Sequence, residues 1–160
     1  MEFAVGGRVQ SGIMKSPSFT LSFLVDESPQ DVFEAINNVR EWWTPNLEGG
    51  THRLNDEFEV RFGDVHYSKQ KLTEVVPDKK VVWLVTDSKL SFVKNKKEWV
   101  NTRVIFEISK NEGRTQVMFK HDDLTKEVEC YDACTDAWSS YILGSLRNLI
   151  MTRKRRTSAI

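Results

Sequence analysis

At 160 residues, with 39% apolar and 29% charged side chains, the chain has the make-up of one ordinary globular domain, which excludes collagen-like, disordered and disulfide-dense classes. Lysine plus arginine equals aspartate plus glutamate at 23 each, so no overall field draws the chain toward nucleic acid. Two cysteines cannot build a disulfide framework and no apolar run reaches the length of a membrane span, so the expected setting is the reducing cytoplasm.

The first segment carries Gly6, Gly7, Arg8, Gln10, Ser11 and Gly12, which break the apolar run that a secretory signal requires; a disordered leader is expected over 1–16. Phe19, Leu21, Phe23 and Val25 then alternate with Thr20 and Ser22, the period of a strand with one buried face. Ser28, Pro29 and Asp31 supply an N-cap hydroxyl, a first-turn proline and a first-turn acid, and Val32, Phe33 and Ile36 follow at helical spacing. This predicts a short helix from Pro29 to about Asn38. A second helical turn over 39–43 should end before Pro45 and the Gly49-Gly50 pair.

Alternation resumes at Phe58, Val60 and Phe62, and Gly63-Asp64 turns the chain into a returning strand over 66–76. After Pro77-Asp78, the β-branched run 81–85 predicts a central strand. Val104, Phe106 and Ile108 mark one further strand and Thr115, Val117, Phe119 and His121 another, with Asn111-Glu112-Gly113 as the turn between them. Finally, Tyr131, Cys134, Trp138, Tyr141, Ile142, Ser145, Leu146 and Leu149 recur at intervals of three and four, predicting a long amphipathic helix. The basic cluster Arg153, Lys154, Arg155 and Arg156 is expected as a solvated tail over 153–160, leaving 17–152 as the folded domain.

The order of these elements, with Ser28-Pro29 through Ile36, Trp42-Trp43, 82–85, 102–108, 115–121 and the helix carrying Trp138, Tyr141 and Leu146, resembles the START-like or birch-allergen-like superfamily that includes polyketide cyclases. The branch it most resembles is the one related to the activator of the heat-shock-protein ATPase. That resemblance implies an α+β helix-grip fold, a curved antiparallel sheet wrapped around the C-terminal helix, with two short helices after the first strand. It further implies binding of a hydrophobic or amphipathic small molecule, such as a lipid or a polyketide-like chain. A protein partner of the chaperone kind is an alternative that the same branch suggests.

Carried through, the alternation points Phe58, Val60, Phe62, Ser68, Gln70, Leu72, Val104, Phe106, Val117, Phe119 and His121 at the helix. Tyr131, Cys134, Trp138, Tyr141 and Ile142 face them, and Trp42, Trp43, Trp83 and Trp99 complete the candidate ligand-binding set. A mostly apolar wall with a few polar groups suits small-molecule binding, although the same rings can instead fill a solid core. Adjacent residues of a helical turn do not share one face, so one of Trp42 and Trp43 is expected at a cavity mouth or an exposed patch. His121 is the only histidine expected to face the cavity. It is either a hydrogen-bonded core residue or, with Tyr131 or Gln70, the proton-moving group of a cyclase or aromatase. No nucleophile–base pair is legible, and no catalytic residue is assigned. Cys130 and Cys134 lie four apart without a matching histidine spacing, so they are read as packing thiols; no metal or cofactor is expected.

Overall fold

A computed structural model describes residues 16–158 of the backbone and the side chains up to residue 152. The expected leader therefore lies, apart from Ser16, outside the described residues, as do the side chains of the basic cluster. Seven strands form one antiparallel sheet in the order β1-β7-β6-β5-β4-β3-β2. They are β1 Phe19–Val25, β2 Leu47–Gly49, β3 Glu57–Phe62, β4 His66–Val76, β5 Lys80–Leu90, β6 Arg103–Asn111 and β7 Arg114–Asp122. Helices α1 (Pro29–Asn37) and α2 (Val39–Trp42) follow β1, and a long C-terminal helix runs from Tyr131 to Ser158. This is the helix-grip α+β arrangement.

The local causes match the sequence. Asp31 N–H donates to Ser28 Oγ at 3.1 Å, closing the N-cap of α1 with Pro29 at its first position. Gly113, at φ 83°, sits in the β6–β7 turn, in a conformation that costs a glycine little. Register shifts between β4 and β5 at Lys69/Gln70 and at Leu72/Glu74 bend the sheet, which lets a flat ladder become a grip.

Three features depart from the sequence reading. The strand β2 pairs with β3 although no alternation marks it, and β5 extends five residues beyond Val85. The C-terminal helix is α-helical at Tyr131–Ser139 (α3) and Arg147–Ser158 (α4) but π-helical at Ser140–Leu146. Within that wider stretch Ser145 Oγ donates to the Trp42 carbonyl at 2.7 Å, fixing the helix to the end of α2.

The core lies between sheet and helix and is dominated by tryptophan. Trp42 stacks on Trp83 with ring centres 6.2 Å apart, while Phe58 and Phe106 meet Trp83 edge-on or tilted at 5.0 and 5.1 Å. Trp42 and Trp43 are both buried, so neither forms an exposed patch, and of the two only Trp43 reaches the pocket described below. The reason is local: Trp42 is the last residue of α2, Trp43 caps it, and the chain turns inward there, so the two rings stack at 6.3 Å.

Candidate functional site

The sheet and helix do not close completely at the end formed by the β3–β4 hairpin. There a pocket of about 300 Å³ remains, at the small end of the range found for ligand sites. The hairpin contributes Phe62, Val65 and His66, the β5–β6 connection contributes Phe92 and Trp99, and Trp43 reaches in from the end of α2. The helix supplies Trp138 and Tyr141 as large groups and Ala133, Cys134 and Ala137 as small ones.

Three indoles make the inner wall. Trp138 lies between Trp43, at 5.1 Å and 26°, and Trp99, at 5.8 Å and 11°, so a flat aromatic surface faces the opening. Phe62 and Tyr141 face one another at 5.9 Å beside it. His66 stands edge-on to Trp99 at 4.7 Å, and one of its nitrogens, Nε2, lies 2.8 Å from Ser68 Oγ. Burial pushes the His66 pKa down to about 4, so the ring is neutral at pH 7. Its Nδ1, the Tyr141 hydroxyl and Trp99 Nε1 have no hydrogen-bond partner among the described residues, which makes them polar handles of a mostly apolar pocket lining. Behind His66, Gln70 Nε2 donates to Ser68 Oγ at 2.5 Å, giving β4 a short polar strip that leads into the core.

His121 does not reach this pocket. It is fully buried beneath it, and both ring nitrogens are occupied: Trp138 Nε1–H donates to Nδ1 at 3.0 Å, and Nε2 lies 2.8 Å from Thr102 Oγ1. Thr102 Oγ1–H donates to the Trp99 carbonyl at 2.6 Å, so the hydroxyl proton is committed and Nε2–H must donate to Thr102. The chain of bonds thus assigns the tautomer, and burial lowers the pKa to about 3. The imidazole is a neutral pin that fixes Trp138 and Trp99, two walls of the pocket.

The remaining sequence-selected residues divide by depth. Trp43, Phe62, Trp99, Trp138 and Tyr141 line the pocket. Trp42, Phe58, Val60, Gln70, Trp83, Phe106 and Phe119 are buried in the core behind it. Tyr131 is half-buried against the core at the β1 edge of the sheet, edge-on to Phe19 at 6.5 Å. Cys130 and Cys134 are free and buried; the hydrogen bond between the two thiols, then burial, pushes the Cys130 thiol well above the usual range. Among the described residues, no cluster of three or more His, Cys, Asp or Glu side chains is arranged to hold a metal.

Sequence reasoning overlooked Val65, His66, Phe92, Ala133 and Ala137. His66 was legible, since the inward series Gln70, Ser68 extends to it by one more step of two. Ala133 and Ala137 stand four apart beside Cys134 and Trp138 and could have been read as a gap in the helix face. Phe92 lies in a connection without periodicity and gave no signal.

No family model and no curated protein matches the chain. Solved structures do match in fold. The Aha1 dimer from Colwellia psychrerythraea superposes with a TM-score of 0.68 at 19% identity, over 86% of this chain and 98% of that one. A Bacillus halodurans protein gives 0.62 at 13% identity, covering 86% and 99%. DynU16, from the dynemicin biosynthetic locus, gives 0.58 at 14% identity, covering 81% of this chain and 46% of its own. These likenesses show a shared helix-grip α+β fold.

Proposed function

We propose that this protein binds a small, largely apolar molecule with a flat ring or short chain in the pocket at the open end of the grip. The observation that carries the reading is the Trp43–Trp138–Trp99 wall facing an unfilled volume with few unpartnered polar atoms, among them His66 Nδ1, the Tyr141 hydroxyl and Trp99 Nε1. Such a wall supplies desolvation, and these polar atoms set orientation. Burying roughly 250 Å² of ligand surface at about 25 cal/mol per Å² gives on the order of 6 kcal/mol before association costs, so micromolar affinity is the expected range. Fold likeness to a protein of a biosynthetic locus agrees with a polyketide-like ligand, and a lipid fragment fits the same wall.

Binding is favoured over proton-transfer catalysis by His121, because its basic nitrogen already accepts from Trp138 and the ring is sealed from the pocket. The test is a titration of tryptophan fluorescence with 2-naphthol and with a panel of fatty acids, on the natural chain and on Ala137→Trp. Ala137 is exposed at the pocket wall, so the larger ring fills the space without entering the core. Saturable micromolar binding that weakens at least tenfold in Ala137→Trp, with thermal stability retained, is the expected result. Binding that ignores Ala137→Trp, or no saturable binding by any probe, overturns the proposal.

A further inference from the structure

The polar strip on β4 fixes which way hydrogen bonds run at the pocket wall. Ser68 is fully buried, and its Oγ meets two polar side chains among the described residues: Gln70 Nε2 donates to it at 2.5 Å, and His66 Nε2 lies at 2.8 Å. An amide nitrogen donates and does not accept, so the Ser68 hydroxyl hydrogen goes to the imidazole. His66 Nε2 is then the bare, accepting nitrogen. Burial keeps this ring neutral at pH 7, and a neutral imidazole carries a single hydrogen, which is left for Nδ1. The tautomer is opposite to that of His121, where the committed Thr102 hydroxyl puts the hydrogen on Nε2. Trp99, edge-on to His66, adds its Nε1–H, buried and without a partner. Tyr141 brings a hydroxyl that serves either way. Donors are therefore in excess among the polar atoms left to the pocket.

We infer that the pocket selects a molecule whose polar group is a hydrogen-bond acceptor, an aromatic or conjugated ketone, over one that offers only an N–H, and that His66 Nδ1–H makes the choice. This rests on the ligand reading above and narrows it to a chemical class. A carbonyl oxygen beside His66 satisfies a donor otherwise enclosed by the rings of Trp43, Phe62 and Trp99, whereas an N–H placed there leaves two donors facing one another unmet. Ser68 does not line the pocket; it is a positioning residue that acts through the tautomer.

Two measurements decide the matter. Long-range proton–nitrogen correlation spectra of the full chain at neutral pH, assigned with His66→Phe, should show the His66 hydrogen on Nδ1 and the His121 hydrogen on Nε2. Ser68→Ala should populate both tautomers of His66, an effect that a merely structural serine would not have. Equilibrium dialysis then compares flat tricycles of nearly equal size: fluorenone, which only accepts, carbazole, which only donates, and fluorene, which does neither. Fluorenone should bind about fivefold tighter than the other two, and His66→Phe should erase that margin while fluorene binding is retained. A His66 hydrogen on Nε2 in the natural chain, which would mean that the Gln70 amide turns its oxygen to Ser68, overturns the inference. So does carbazole binding as tight as fluorenone or tighter. If all the tricycles bind alike, the pocket binds and only the preference is lost; if none binds, the ligand reading falls and the preference with it, whichever nitrogen holds the hydrogen.

Discussion

Replacing His121 by leucine removes the acceptor of the Trp138 indole N–H in a site with no solvent, and Trp138→Phe removes the donor to His121 Nδ1. Each single substitution orphans one buried polar atom, which costs about 1–3 kcal/mol, and Trp138→Phe adds a packing loss of order 1 kcal/mol from the smaller ring. In His121→Leu the Thr102 hydroxyl keeps its bond to the Trp99 carbonyl, so no second orphan arises there. The double variant has neither donor nor acceptor, and its penalty should fall short of the summed single penalties by about 1–2 kcal/mol. Urea unfolding at pH 7.5, followed by tryptophan fluorescence on all four proteins, gives the coupling directly. Additivity within about 0.5 kcal/mol would show that the two side chains do not share a bond, and the tautomer and the neutral-pin role of His121 would fall with it.

Acid should destabilise the fold before most carboxylates titrate. The folded pKa values of about 4 for His66 and about 3 for His121 lie below the ordinary 6.5, so their contribution is complete above pH 6.5 and is lost as pH falls toward those values. At pH 5 each ring withholds a proton that the unfolded chain accepts, which removes on the order of 2 kcal/mol per histidine. Urea midpoints at pH 7.5 and 5 check this, and a His121 resonance titrating near pH 6.5 in the folded protein would contradict it. Gly49→Ala should cost at least about 2 kcal/mol, because at φ 112° a Cβ would collide with the Glu57 carbonyl and the Phe58 backbone across the β2–β3 ladder. A thermal midpoint unchanged from the parent would mean that β2 is not pinned to β3.

Strands with one wet face were legible because their side chains alternate in polarity; β3, β6 and β7 each bury every second residue, as written. The far half of β5 was not, since Asp87, Ser88 and Lys89 have little strand character of their own. They are extended because β4 holds them through the His66–Leu90 to Lys69–Asp87 pairs. The strand β2 is three residues long, too short for any period to register. In the helix the three-and-four spacing correctly gave the buried face, yet it could not reveal the π-helical stretch, which depends on a contact with Trp42 more than a hundred residues away.

The position of the pocket shows what alternation cannot carry. A period of two tells which way a ring points and nothing about what it meets, and Trp99, outside any predicted strand, had no period at all, so the candidate set did not separate it from Trp83. Their surroundings differ by depth. At the closed end, α2 drives Trp42 into the space over Trp83, and Phe58 and Phe106 seal the remainder. At the open end the helix presents Ala133 and Ala137, both exposed, where larger side chains would cover the aromatic wall. The vacancy thus comes from two small residues opposite a rigid aromatic wall, itself pinned through His121. A void so lined cannot be closed by rotamer changes of the alanines, and the stacked indoles have little room to turn. The same aromatic content that fills the core behind therefore keeps the pocket in front of it open and shaped.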